Sequence, residues 1–127
     1  MWESTRQGEY IMDNGVGVYR KELLKGNTET LLLSLLAIEP MYGYQLVREM
    51  ERRSSGYFRF KEGTLYPALH RLEKVGLVKG AWGDSPSGQN RRYYYMTDKG
   101  HTRLASMVKE WEMFSTAVNR VAVPRPV

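Results

Sequence analysis

The stretch that decides the fold runs from residue 61 to residue 78 and reads KEGTLYPALHRLEKVGLV. Its apolar residues share one broad arc of a helical wheel, which predicts an amphipathic helix with one buried side. The residues of this arc are Leu65, Ala68, Leu69, Leu72 and Val75. The opposite side carries Gly63, Tyr66, Pro67, His70 and Lys74. Gly76 tolerates the left-handed conformation that ends many helices, so we expect the helix to stop there and a strand to follow.

Two more helices are predicted before this stretch. The first begins at Asn27 or Thr28, either of which can cap a helix, and presents a dense apolar surface. That surface consists of Leu31, Leu32, Leu35, Leu36 and Ile38. Pro40 disfavours helix at the residue before it, and a second helix is expected from about residue 42 to residue 54. The inward-facing residues of this second helix are Tyr44, Leu46, Val47 and Met50.

A β-hairpin is predicted after the third helix. Residues 77–82 suit a strand, and residues 91–96 are rich in aromatic side chains, which favour strands. Residues 83–90 between them form a polar turn that we expect to be too flexible to pack. Three helices followed by a hairpin form the layout of a winged helix-turn-helix domain. We therefore predict a mainly α (α+β) fold, in which residues 21–96 form a winged-helix DNA-binding domain with a two-stranded wing.

A long C-terminal helix is predicted over residues 97–123. Thr97 is a suitable N-cap, and the apolar residues that follow recur at spacings of three and four, which is a heptad pattern. These residues are Leu104, Met107, Trp111, Phe114, Val118 and Val121. Soluble monomers rarely expose so large an apolar patch, so we predict a homodimer interface along this helix. The alternative is that Leu104 and Met107 pack on their own domain.

The net charge of +5 is concentrated in the middle of the chain. Residues 41–96 contain ten Lys/Arg and five Asp/Glu, whereas residues 1–40 contain four and six. Such a local surplus favours an anionic partner, although a solvated basic face is the alternative. The polar side of the third helix suits the major groove of double-stranded DNA. A dimer would set two such helices about 34–36 Å apart, which predicts a palindromic site.

Three groups of residues are predicted to contact DNA. On the third helix they are Lys61, Gly63, Thr64, Tyr66, Pro67, His70 and Lys74. In the hairpin they are Lys79, Arg91 and Arg92, and only one of the two arginines is expected to contact DNA fully because neighbours in a strand alternate faces. Tyr42 and Gly43 begin the second helix, where free N–H groups favour a phosphate. The alternatives are that Tyr66 packs under the hairpin and that His70 is merely solvated.

Other functional classes find little support. The two histidines, His70 and His101, have no carboxylate or nucleophile at a recognisable spacing, and no Gly-rich phosphate loop or paired-histidine metal motif occurs. The chain has no cysteine, and no apolar run approaches the roughly 18 residues of a membrane span. We predict a cytoplasmic protein that is not an enzyme and has no cofactor, metal or membrane partner. Residues 1–20 show no clear period and are expected to form a flexible arm.

Three strings of the sequence resemble the PadR family of bacterial transcriptional regulators. They are LAIEPMYGYQL at residues 36–46, GTLYPALHRLEKVGL at residues 63–77 and RRYYYMTDKG at residues 91–100. With Trp82 and Trp111 included, the resemblance extends from about residue 21 to residue 121. The segment before residue 21 departs from the common pattern of the family.

The resemblance implies a dimeric winged-helix repressor whose C-terminal helix carries the dimer contacts. It also implies a small, aromatic or phenolic effector that releases the operator, with Trp111 at a hydrophobic interface where planar ligands stack. The single C-terminal helix is similar to that of the short-tailed branch of the family. The rival hypothesis is a winged-helix module for protein–protein interaction, and the basic middle of the chain argues against it.

Overall fold

The computed structural model describes residues 20–123. Its helices and strands follow in the order α1 (Arg20–Lys25), α2 (Thr28–Leu36), β1 (Met41–Tyr42), α3 (Gly43–Arg53), α4 (Glu62–Lys74), β2 (Val78–Asp84), β3 (Asn90–Met96) and α5 (Asp98–Ala122). This is a winged helix-turn-helix fold, with α4 in the position of the recognition helix and the β2–β3 hairpin as the wing. The predicted arm over residues 1–20 lies outside the described residues except for Arg20, which begins α1.

The hydrophobic core lies where α2, α3 and α4 meet the sheet. Helix α2 contributes Leu32, Leu33, Leu35 and Leu36, and α4 contributes Leu65, Ala68, Leu69 and Leu72. Burying each of these leucines stabilises the fold by roughly 1.5–3 kcal/mol. Tyr94 of β3 is 1% exposed and closes the core from the side of the sheet. Four of the five residues in the predicted apolar arc of α4 are therefore confirmed as core.

Three residues predicted to face the core are exposed instead. Val75 is 52% exposed because α4 ends at Lys74, so that Val75 leaves the helical path as the C-cap. Ile38 is 54% exposed because it lies in the turn after α2. Tyr44 is 50% exposed in the first turn of α3, where its ring lies 5.8 Å below the guanidinium carbon of Arg48. Each error falls at a helix end, where the helical period no longer describes the direction of a side chain.

The sheet has three strands rather than the two that were predicted. Its order is β1-β3-β2, and β1 pairs with β3 through Met41 opposite Tyr94 and Tyr42 opposite Tyr93. A two-residue strand is too short to show an alternating pattern, so the sequence did not reveal β1. The turn between β2 and β3 is also more ordered than expected. Ser85 is only 8% exposed, and its hydroxyl donates to the Gln89 carbonyl at 2.8 Å.

Helix α5 is tied at its first turn to the turn between α4 and β2. The predicted Thr97 cap is confirmed, because its hydroxyl oxygen accepts from the Gly100 N–H at 3.0 Å. The same hydroxyl donates to the Gly76 carbonyl at 2.7 Å, and the Lys99 ammonium donates to the Val75 carbonyl at 2.8 Å. Gly76 has a φ of +81°, the left-handed conformation predicted for it. Between residues 20 and 123, no helix has both the length and the apolar character needed to cross a membrane.

Candidate nucleic-acid interface

Helix α4 presents a flat, polar side to solvent. Gly63, Thr64, Tyr66, Pro67, His70 and Lys74 are all exposed, and Lys61 is the exposed N-cap. A Cβ atom built on Gly63 would meet nothing within 4 Å, so this part of the surface is open. Tyr66, His70 and Lys74 follow one another at four-residue spacing and therefore share one face of the helix. The polar side predicted from the sequence is confirmed as the exposed side of α4.

Tyr66 packs against the start of α3. A Cβ atom on Gly43 would lie 2.5 Å from the Tyr66 hydroxyl oxygen and 2.8 Å from its Cζ, so only glycine allows this contact. The Tyr66 hydroxyl donates to the Glu62 carboxylate at 3.1 Å. Burial, followed by this hydrogen bond, raises the pKa of Tyr66 above its ordinary value. The hydroxyl therefore stays protonated at neutral pH, and Gly43 is needed for packing between helices whatever its role toward a phosphate.

Arg91 lies beside the start of α3. Its guanidinium carbon is 4.3 Å from the centroid of the Tyr42 ring, a cation–π contact. The Tyr42 ring in turn meets Tyr93 edge to face, with 5.5 Å between centroids and an interplanar angle of 74°. The structure thus brings together two groups of predicted site residues that lie about fifty residues apart in the chain. A positive charge and the N-terminus of a helix adjoin there, which suits an anion.

Arg92 points to the opposite face of the wing. Its Nη2 lies 2.8 Å from the Glu73 carboxylate on α4, and its side chain is one-third exposed. The expected alternation of Arg91 and Arg92 between the two faces is confirmed. Lys79 pairs in register with Tyr95 and is exposed on the same face as Arg91, because residues two apart share a face.

The C-terminal seam divides into a buried and an exposed part. Leu104 and Met107 are partly buried against the domain's own core, as the alternative interpretation held. The residues beyond them are exposed by 46% at Trp111, 61% at Phe114 and 90% at Val121. Val118, at 41%, lies on the same stripe. An apolar stripe along about the last three turns of α5 is therefore left uncovered by the described residues.

A groove runs between this stripe and the N-terminal helices. It has a volume of about 650 Å³ and is lined by Trp111, Phe114 and Val118 of α5 together with residues of α1, α2 and the loop after α3. Sequence reasoning missed this second wall, which includes Arg20, Leu23, Leu31, Tyr57 and Phe58. The aromatic and basic alternation of residues 57–60 was the available signal, but it indicated only an extended connection. Nowhere in residues 20–123 do three or more metal-binding side chains gather.

The sequence and the fold are both similar to those of known transcriptional regulators. Residues 32–106 match the profile of the transcriptional regulator PadR-like family. A protein of Lysinibacillus sphaericus, named only as uncharacterized, is 35% identical over 92 residues, which cover 72% of this chain and 84% of the relative. The crystal structure of a PadR-like transcriptional regulator from Bacillus cereus is 35% identical, with a TM-score of 0.73, and the match covers 82% of this chain and 99% of that one. A PadR family regulator from Eggerthella lenta is 32% identical, with a TM-score of 0.74 and coverage of 87% and 94%.

The matching strings of the sequence form the surfaces described above. Residues 36–46 form the end of α2, β1 and the start of α3, and residues 63–77 form α4 and its turn into β2. Residues 91–100 form β3 and the first turn of α5, which is hydrogen-bonded to the turn between α4 and β2. Regulators of this kind act on DNA and are not enzymes. The chain therefore belongs to the PadR-like family of transcriptional regulators, as a winged-helix DNA-binding protein.

Proposed function

We propose that this protein is a homodimeric repressor that occupies a palindromic operator and leaves it when a small aromatic effector binds. The observation that carries the proposal is the continuous surface formed by α4, the start of α3 and Arg91. The polar side chains of α4 on this surface are exposed, that of Arg91 is partly exposed, and the positive charge of the surface complements a phosphate backbone. We place the protein in the cytoplasm, where a bacterial operator is found.

On DNA, α4 lies in the major groove. Thr64, Tyr66 and His70 face base edges, while Gly63 and Pro67 keep the helix surface flat for close approach. Lys61 and Lys74 lie toward the flanking phosphates. The Tyr42 N–H donates to the Gln45 side-chain oxygen at 3.3 Å, so the other N–H groups in the first turn of α3, which begins at Gly43, lie toward one phosphate. The wing residues Lys79 and Arg91 lie toward the adjoining backbone or minor groove, whereas Arg92 is bonded to Glu73 in the free protein.

Dimerisation buries the uncovered stripe of α5. Trp111, Phe114, Val118 and Val121 each contribute up to roughly 1.5–3 kcal/mol on burial, which the entropy cost of association partly offsets. Two-fold symmetry then presents two copies of α4 to successive turns of the major groove, about 34–36 Å apart. Leu104 and Met107 support this interface from below by fixing α5 on its own domain.

The groove at Trp111 suits a planar aromatic effector. Its walls are mostly apolar and aromatic, and its volume of about 650 Å³ is that of a small-molecule site. A ligand that shifts α5 acts on α4 through the Lys99–Val75 and Thr97–Gly76 hydrogen bonds. The spacing of the two recognition helices changes as a result, and the affinity for the operator falls by the ratio of ligand affinities for the two arrangements.

Mobility-shift titration against the DNA upstream of the protein's own gene tests the proposal. We expect a discrete complex with a palindromic site at moderate salt, and its dissociation on titration with planar phenolic or cationic aromatic compounds. Heparin retention at physiological salt, followed by competition with DNA, separates this function from the protein–protein module. The repressor hypothesis would be refuted if the protein were not retained on a heparin column and bound no palindromic DNA.

A further inference from the structure

We propose that Glu73 is a positioning residue that locks the wing to the recognition helix, and that Arg92 serves this lock while Arg91 is the wing arginine that meets the DNA backbone. The inference deepens the proposed function and depends on it for its consequences on DNA. The lock itself is a property of the free protein.

A single carboxylate oxygen joins three elements of the fold. Glu73 Oε2, near the end of α4, accepts from Arg92 Nη2 of β3 at 2.8 Å and from the Gly80 N–H of β2 at 3.1 Å. Both strands of the wing are therefore bonded to the recognition helix at one point. Hydrogen bonds to a charged acceptor are stronger than neutral ones, and the two donors approach from different strands.

Gly80 makes room for the arginine. A Cβ atom at this position would lie 2.5 Å from Arg92 Nη2, 2.6 Å from its Cζ and 2.7 Å from its Nε. The guanidinium therefore lies across the bare backbone of β2 on its way to Glu73. The Arg92 Cζ also lies over the Tyr94 ring, 5.9 Å from its centroid. The wing is thus shaped to hold Arg92 against α4 and not to extend it into solvent.

The two wing arginines differ in the partner that their charge meets. Arg92 is neutralised by Glu73, with both side chains only about one-third exposed at 34% and 30%. Arg91 lies over the uncharged ring of Tyr42, and no carboxylate among residues 20–123 pairs with it. Its charge is therefore free for a phosphate at the start of α3. Releasing Arg92 for DNA would leave the Glu73 carboxylate unpaired beside an anionic partner, which is unfavourable.

Replacing Glu73 with alanine distinguishes the lock from a purely electrostatic role, because the two hypotheses predict opposite changes in DNA affinity. Alanine keeps α4 helical, and the change removes one negative charge, so a purely electrostatic role predicts tighter binding and a steeper salt dependence. The lock predicts the reverse, a loss of operator affinity of about tenfold, because the wing is no longer held at its angle to α4. Tighter binding by Glu73→Ala would overturn the proposal.

Arg92→Ala and its matched control Arg91→Ala test the division of labour. Each phosphate contact contributes about 0.9 to the slope of log K against log salt, so Arg91→Ala lowers this slope by about one. Arg92→Ala weakens binding with the slope unchanged, and the double variant Glu73→Ala/Arg92→Ala is no weaker than either single variant. The assignment of Arg91 to DNA and Arg92 to the lock would be refuted if only Arg92→Ala lowered the salt slope. It would also be refuted if the losses of binding free energy in Glu73→Ala and Arg92→Ala added fully in the double variant.

Amide exchange in the free protein provides a readout without DNA. We expect the Gly80 N–H to exchange about tenfold faster in Glu73→Ala, with the amides of α2 unchanged as the control. Unchanged Gly80 exchange would overturn the lock even if operator binding fell. Faster exchange in a protein that binds no DNA would uphold the lock and reject the proposed function, so the two failures are distinguishable.

Discussion

Exchanging Gly100 for alanine tests whether α5 is seated on the turn after α4. A Cβ atom at position 100 would overlap the backbone carbonyl oxygen of Leu77, and it would lie 3.3 Å from the Met96 sulfur. The carbonyl cannot rotate aside as a flexible side chain would. It also accepts from the Thr97 N–H at 3.2 Å and lies 3.1 Å from the Thr97 hydroxyl oxygen, whose single proton it shares with the Gly76 carbonyl. Relieving the overlap therefore weakens the bonds that hold α5 in place.

The expected size of the effect follows from three contributions. Overpacking costs about 1–3 kcal/mol, and each weakened hydrogen bond costs about 0.5–1.5 kcal/mol. Alanine is a better helix former than glycine by about 1 kcal/mol, which opposes these costs. We expect Gly100→Ala to lower the free energy of unfolding by about 2–4 kcal/mol.

Gly63→Ala is the matched control for this substitution. Gly63 also lies in the first turn of a helix, but a Cβ atom there meets nothing within 4 Å. Helix propensity then acts alone, and we expect a gain of up to about 1 kcal/mol. Urea denaturation at one fixed protein concentration measures both variants, because the midpoint of the proposed homodimer would depend on concentration. Equal stabilisation by the two alanines would show that α5 is not seated on Leu77.

Three further perturbations have defined outcomes. Gly43→Ala displaces the Tyr66 ring from the start of α3, so operator affinity and base preference change while circular dichroism shows the helices retained. The hydrogen bond from Arg52, followed by that from Arg53, lowers the pKa of Glu49 from 4.5 to about 2, so its stabilising effect is present above pH 4.5 and is lost as the pH falls toward 2. In an acid titration of stability, Glu49→Gln should lack the loss of stability that protonation of Glu49 causes. A titration curve identical to that of the parent protein would exclude this contribution of Glu49. Phe114→Asp places a charge on the uncovered stripe of α5, so we expect sedimentation to detect monomers of this variant and the proposed homodimer of the parent protein.

Local patterns of the sequence predicted most of the elements and their exposed sides. The apolar arc of α4, the Thr97 cap and the turn at Gly76 each depend on residues within one or two helical turns of one another. The same reasoning failed where elements end, at Val75, Ile38 and Tyr44. It also missed β1, whose two residues become a strand only because β3 lies beside them.

The roles of the site residues depended on longer-range contacts. The sequence indicated that Arg91 and Arg92 face opposite ways, but it contained no sign of which one meets Glu73. Those partners lie 19 residues apart, and the contact forms only when the hairpin folds back on α4.

The amino-acid sequence alone determined the order of the helices, the wing and the apolar seam of α5, because hydrophobic period and capping act between neighbours in the chain. Only the tertiary structure decided which group packs against each glycine: the Tyr66 ring against Gly43, the Arg92 guanidinium against Gly80 and the Leu77 carbonyl against Gly100. A glycine in a sequence shows only that a side chain is absent. What occupies the vacated space is decided by packing between elements distant in the chain.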